Sequence, residues 1–322
     1  MREFVSKKRI ISLNNKKKGR FMKKSMVLYL FFALFLLGCS DFNTSADWNS
    51  DKIRISTPAH LREFRDSVNA GNSFRNQTVV LTNHLELAAA NEQNQWIPIG
   101  ETEALAFRGT FDGGGWTIRG VYINRPNSDN QGFFGFLRGT VKNLGLLDID
   151  IRGKQQVGGL VASKNGTIEN SYVTGNVEGE QNVGGLAGIT HVSLIRNSYA
   201  AVNVVADLIN AGGLVGNNGG TIEFCYASGS VRGDWNVGGL AGINRGEIKK
   251  SYASGNVSGI GNRVGGLVGN NEDENATICP NSGAKTIAAM RETSTFIGWN
   301  FASVWKFEPL KNNGFPHLRV FH

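Results

Sequence analysis

The chain is 322 residues long and carries 34 Lys and Arg against 26 Asp and Glu, a formal net charge of +8, with 42 glycines, six prolines and three cysteines. The excess sits in the first 38 residues, where ten basic residues face one acidic residue, Glu3, leaving 24 basic against 25 acidic residues in the rest. A body of that balance has no basic field for phosphates, which excludes nucleic acid as its partner.

Lys23 and Lys24 precede an unbroken apolar run over residues 26–37, the n-region and h-region of a secretory signal. The run is too short to span a bilayer as a mature helix. It ends in Leu36-Leu37-Gly38-Cys39, which resembles a bacterial lipobox. The resemblance implies an acyl lipid of the palmitate kind on the Cys39 thiol and cleavage that leaves Cys39 first. Residues 1–38 then read as a lipoprotein signal peptide, with Met1 or Met22 as its start, and residues 39–50 as a polar tether. Ser40 after the cysteine implies the outer membrane by the enteric sorting rule. The expected place is the bacterial cell envelope, surface-exposed, with the membrane as partner through the N-terminal lipid.

Residues 51–131 read as an N-terminal cap and the first coils of a larger object. Thr57-Pro58 followed by Leu61, Phe64 and Val68 gives an N-cap, a proline at the first helical position and an apolar stripe, with Gly71 as the stop. Short β-prone runs follow, among them Val79-Val80-Leu81 and Val121-Tyr122-Ile123. Asp112 stands before three glycines, a pattern that suits a turn capped by its own side chain better than calcium or catalysis.

Residues 132–283 repeat a phrase of about 26 residues. Gly-Gly-Leu begins at Gly158, Gly184, Gly212, Gly238 and Gly265, at intervals of 26, 28, 26 and 27, with a diverged copy at Gly132-Phe133-Phe134. A second marker keeps step at Ser171-Tyr172, Ser198-Tyr199, Cys225-Tyr226 and Ser251-Tyr252. Alignment yields three apolar columns: Leu160, Leu186, Leu214, Leu240 and Leu267; Ile168, Ile195, Ile222, Ile248 and Ile278; Val177, Val204, Val231 and Val257. Three β-prone columns separated by Gly and Asn describe a three-sided coil that buries its apolar face only by stacking on the next. The fold class is therefore all-β, a parallel β-helix, right-handed by the usual hand of parallel crossovers. No proline occurs between residues 127 and 279, as central strands require. The four repeat tyrosines and Asn182, Asn210 and Asn236 are expected to form ladders. The tyrosines read as structural, with an exposed sugar-binding stripe as the alternative.

Segments such as GGLVGNNGGTIEFCYASGSV (residues 212–231) and GGLAGINRGEIKKSYASGNV (residues 238–257) resemble the GLUG repeats of bacterial surface proteins. The flanking FRGTFDGGGWTI, FIGWNFASVWKF and GFPHLR resemble the sequences around such repeats, so the likeness covers nearly all of the mature chain. It implies an adhesin-like or other cell-surface role, or an accessory region of immunoglobulin-A-type metallopeptidases. That peptidase activity needs an HExxH zinc motif, and the five histidines here are isolated at His60, His84, His191, His317 and His322.

The phrase breaks in three places, which are the candidate binding positions. His191 lies in a lengthened connection, and Val202 replaces the corner glycine seen as Gly175, Gly229 and Gly255, so a bulged, more apolar corner is expected there. Trp235 sits at a turn, and Glu272, Asp273 and Glu274 form an acidic insert. No metal or cofactor is expected; three consecutive acids suit a solvated loop better than calcium. Glu169 and Glu223 share a column two coils, about 9–10 Å, apart, wide for a working carboxylate pair. Cys225 and Cys279 fall in different columns and are expected as free thiols. The aromatic-rich residues 284–322 are expected to form a C-terminal cap over the open end of the array. With no catalytic residues identified, the expectation is a non-enzymatic surface β-helix that adheres to a host, cell or matrix glycan or protein. A polysaccharide lyase or hydrolase and a purely structural envelope component remain as alternatives.

Overall fold

The computed structural model describes residues 50–322 except 90, 273–275, 280–281, 287, 309–311 and 322, so Cys39, Asp273 and Glu274 lie outside the described residues. Residues Ala46–His322 form one compact unit. Strands of successive coils pair in parallel and build three sheets of nine, thirteen and six strands, the parallel β-solenoid that the three columns require. Each column occupies one register: Ile168 pairs with Ile195, Ile195 with Ile222 and Ile222 with Ile248 in the first sheet, and Val177, Val204 and Val231 follow one another in the second. The leucines precede the strands of the third sheet, and all three columns are buried through the middle of the array.

The corners explain the polar residues of the phrase. Asn182, Asn210 and Asn236 adopt left-handed backbone (φ 53°, 64° and 54°), where Asn is tolerated. Asn236 donates its amide to Asn210 and Asn210 to Asn182, both at 2.7 Å. Gly229 has φ 140°, and a Cβ there would lie 2.3 Å from the Val202 carbonyl oxygen, so the corner glycine is required twice over.

Val202 does not bulge. It stays in the strand Tyr199–Gly212, pairs with Gly175 and is 1% exposed, because its side chain turns into the core where the glycine copies have none. The 28-residue interval of this copy arises from two single-residue insertions elsewhere. Thr190 and Leu194 pair with Asn218 and Thr221, four positions against three, and Gly179 and Gln181 pair with Ala206 and Ile209, two against three.

At the N-terminal end, the helix Pro58–Asn69 opens on Thr57, whose hydroxyl accepts from the His60 amide at 3.2 Å. Leu61, Phe64 and Val68 are buried, and Phe64 meets Phe74, Phe107 and Phe111 at ring distances of 5.0, 5.5 and 5.7 Å. Asp112 makes the expected turn, its carboxylate accepting from the Gly114 amide at 2.9 Å.

The C-terminal tail forms an aromatic unit, and its position is more informative than its composition. Tyr172, Tyr199 and Tyr226 stack at 4.8 and 4.7 Å, and Phe296, Trp299, Trp305 and Phe315 pack over this ladder and Tyr252 as a second hydrophobic cluster. The Tyr226 hydroxyl donates to the Pro316 carbonyl at 2.9 Å, and Phe321 reaches Tyr172, 4.6 Å between rings. The tail thus runs back along the flank rather than staying over the last coil, where Ile260, Val264 and Ile278 remain exposed. The same cover closes the sugar-stripe alternative, since Tyr199, Tyr226 and Tyr252 are 4%, 0% and 1% exposed.

Because the tail cluster is separate from the solenoid core, Trp305→Ala should weaken tail docking by about 3–5 kcal/mol while the solenoid persists. Limited proteolysis should release the tail with far-ultraviolet circular dichroism retained. Cooperative loss of both would contradict the separation.

Candidate functional site

The strands of the first sheet bury their middle residue and show the first and third outward. The third positions form one register across six coils: Asp112, Lys142, Glu169, Arg196, Glu223 and Lys249. Signs alternate at every step. Lys142 lies 3.4 Å from Asp112 and Arg196 2.6 Å from Glu169, while Lys249 reaches Glu247 at 2.6 Å. Glu169 and Glu223, the two acids that share a column, therefore have a guanidinium between them, which breaks up any carboxylate pair on this face.

At the corner that leads into these strands, one three-residue phrase recurs: Arg108-Gly109-Thr110, Arg138-Gly139-Thr140 and Asn165-Gly166-Thr167. The glycines leave the corner without side chains, so the backbone forms the floor of a groove of about 700 Å³. With Asn76 to Thr78 before the phrase and Val192 to Leu194 after it, the groove crosses five coils, about 19 Å along the axis. Thr78, Thr110, Thr140 and Thr167 are among its lining residues, with Arg108 and Arg138. None of its lining residues is acidic. Arg138 pairs with Glu103, and Arg108 has no carboxylate partner among the described residues.

The groove closes at the inserted residue of the long repeat, where Val192 is 90% exposed. Lys164 pins this bulge from within. Its ammonium donates to the Leu194 carbonyl at 2.9 Å, and its own carbonyl accepts from the His191 amide at 3.0 Å. Lys164 is 1% exposed and heads an internal column whose next members are Thr190, Asn218, Asn244 and Asn271. The latter four bond side chain to side chain at 2.8 Å. Burial pushes the Lys164 ammonium down to about 7, and pushes the neighbouring Cys225 thiol up to about 12.

Of the sequence candidates, His191 is exposed and lines a hollow of about 250 Å³ that shares Arg138 and Asn165 with the groove. Val202 is buried and offers a ligand no side-chain surface. Trp235 is half-exposed on another corner. Glu272 is held by Arg245 and Arg263. Among the described residues no three His, Cys, Asp or Glu side chains converge on a metal position. Cys225 and Cys279 are both free. Sequence reasoning missed Arg108, Arg138 and Lys164; the thrice-repeated residue-Gly-Thr phrase was the available signal for the first two.

The model of the GLUG motif matches residues 207–232 and 233–258, the coils that carry Tyr226 and Tyr252. The chain carries two GLUG repeats at these positions. Halomucin of Haloquadratum walsbyi is 34% identical over 147 residues, 42% of this chain and 2% of that protein. A protein described as a candidate Gly-rich membrane protein of Evansella cellulosilytica is 32% identical over 157 residues, 46% of this chain and 18% of that one. The GLUG-repeat chain thus spans a small fraction of the length of these relatives. The crystal structure of a candidate immunoglobulin A1 protease from Bacteroides ovatus superposes with a TM-score of 0.65 at 21% identity, covering 84% of this chain and 93% of that one. That likeness is one of fold. The expectation of a non-enzymatic chain, drawn from the lack of a catalytic constellation in the sequence, does not stand, because the same fold is found in a protein described as a protease.

The buried ammonium sets a pH dependence. Unfolded, Lys164 keeps its proton up to about its ordinary value of 10.5, whereas folded it loses it at about 7. The unfolded state therefore holds more protons in between, and stability rises with pH. Between pH 7 and pH 8, below the range in which Cys225 acts in the opposite sense, the gain should be about 1 kcal/mol by urea denaturation. Lys164→Met should flatten it, and an unchanged slope in that variant would contradict the assignment.

Proposed function

We propose that this GLUG-repeat protein is an envelope surface protein whose groove holds a linear acidic glycan. The observation that carries this reading is the pair Arg108 and Arg138 in a groove with no acidic lining residue, beside a row of threonine hydroxyls. Guanidinia take carboxylate or sulfate groups with two hydrogen bonds, and hydroxyls at coil spacing suit a polymer of hydroxylated units. A groove that runs along the solenoid axis meets an extended polymer lengthwise, a threonine recurring at four of its five coils and an arginine at two. The names of the two curated relatives, a mucin and a membrane protein, support an envelope location. Residues 1–38 then act as the signal peptide and Cys39 as the lipid-bearing anchor, with residues 39–50 as the tether.

A glycan array probed with the fragment 46–322 should show binding to carboxylated or sulfated linear glycans above their neutral counterparts. Arg108→Ala with Arg138→Ala should weaken that binding at least tenfold, since a hydrogen bond to a charged group contributes about 1.5–3 kcal/mol. Binding that ignores the double substitution would refute the groove, and cleavage of immunoglobulin A1 by the same fragment would replace the binding reading with a peptidase. In the full chain, Cys39→Ala should abolish incorporation of labelled palmitate; retained label would remove the anchor.

A further inference from the structure

The charge column of the first sheet is self-complementary in one geometry. Taken from Asp112 to Lys249 the signs run negative, positive, negative, positive, negative, positive; taken backwards they are the opposite at every position. Two copies laid face to face with antiparallel solenoid axes would set Asp112 against Lys249, Lys142 against Glu223 and Glu169 against Arg196, each pair made twice by the two-fold. Copies related by a two-fold along the solenoid axis would set like against like in all six places. We infer that a second copy of this chain docks on the outer face of the first sheet, in the antiparallel arrangement.

Several features of the face suit a partner at close range. The column beside the charges is small at four of its six places, Thr110, Thr140, Thr167 and Thr221, with Leu194 and Glu247 at the other two; Thr110, Thr140, Thr167 and Leu194 also line the groove, so the pair forms along its edge. The basic side chains are the more exposed, Lys142 38%, Arg196 45% and Lys249 37%, and reach outward as well as along the column, while Asp112 and Glu169 are 21% and 23% exposed. Each already has a neighbour of opposite sign in its own chain, so the second copy turns a single row into a checkerboard instead of meeting bare charges. Pairs of this kind contribute little to affinity and much to direction and register.

Six strands of three residues make a patch about 24 Å by 10 Å, well short of the roughly 800 Å² per partner of stable complexes. The association is accordingly weak and salt-sensitive. Rotation about an axis parallel to the strands leaves strand direction unchanged. Both grooves, which lie where the chain enters these strands, therefore come to the same side of the pair.

The test uses the compact unit 46–322 in sedimentation velocity, with circular dichroism to verify folding. The wild-type protein should self-associate reversibly, less so as salt is raised. Arg196→Glu and Glu169→Arg each put two like-charged contacts into the antiparallel pair and should weaken self-association at least tenfold. Mixed together, the two variants restore an opposite pair at all six positions and should associate as the wild type does. Should either variant fail to fold, Lys142→Glu with Glu223→Lys provides the same exchange. A wild-type protein that stays monomeric, single variants that associate like it, or a mixture of folded variants that remains monomeric would each overturn the proposal.

Discussion

Everything in this molecule depends on in-register pairing between coils. A coil of about 26 residues has one short strand per side and cannot bury its own apolar face, so its stability comes from the coil above and the coil below. Register then acts as a strict sorting rule. Whatever stands at one position of the phrase is laid directly against whatever stands there in the next copy, a strand spacing of about 4.8 Å away.

That rule fixes what each column can contain. Apolar columns become the core, and Leu186, Ile195 and Val204 are buried in the same coil. A buried polar column has to satisfy itself, which asparagine does because its amide both donates and accepts; Asn218 bonds to Asn244 inside the solenoid, and Asn244 to Asn271 at the exposed end of the column. Lysine has donors alone, so Lys164 can stand only at the head of that column, with a carbonyl beyond it. An exposed charged column must alternate in sign, since a run of like charges at this spacing would repel along its whole length.

The repeats were legible because their columns are visible in sequence: the Leu, Ile and Val positions, the asparagine and tyrosine ladders and the proline-free stretch all reappear as register. The break in phrase around His191 was legible as well, and the groove closes at that bulge. Val202 was misjudged, because the loss of a corner glycine was read as a bulge when the strand continues and the side chain turns inward. The groove itself lay hidden for a different reason. Its arginines belong to coils before the Gly-Gly-Leu marker becomes regular, where only spatial stacking reveals that residues 108, 138 and 165 share a place. The tail posed the same difficulty, since aromatic content tells that a segment must be covered and not which surface it will cover.

The path of that tail changes how the array holds together. A solenoid of identical coils behaves as a one-dimensional chain of neighbours, able to fray from an end one coil at a time. Here a single segment touches Lys250 through the Trp299 indole, Tyr226 through Pro316 and Tyr172 through Phe321. It ties the coil of Tyr172 to those of Tyr226 and Lys250, with which that coil shares no strand pairing, so losing the last coil means first peeling away contacts made far up the stack. The strap makes separate nearest-neighbour steps into one longer cooperative unit, and it gives a protein with an exposed final coil a higher barrier to unravelling from that end.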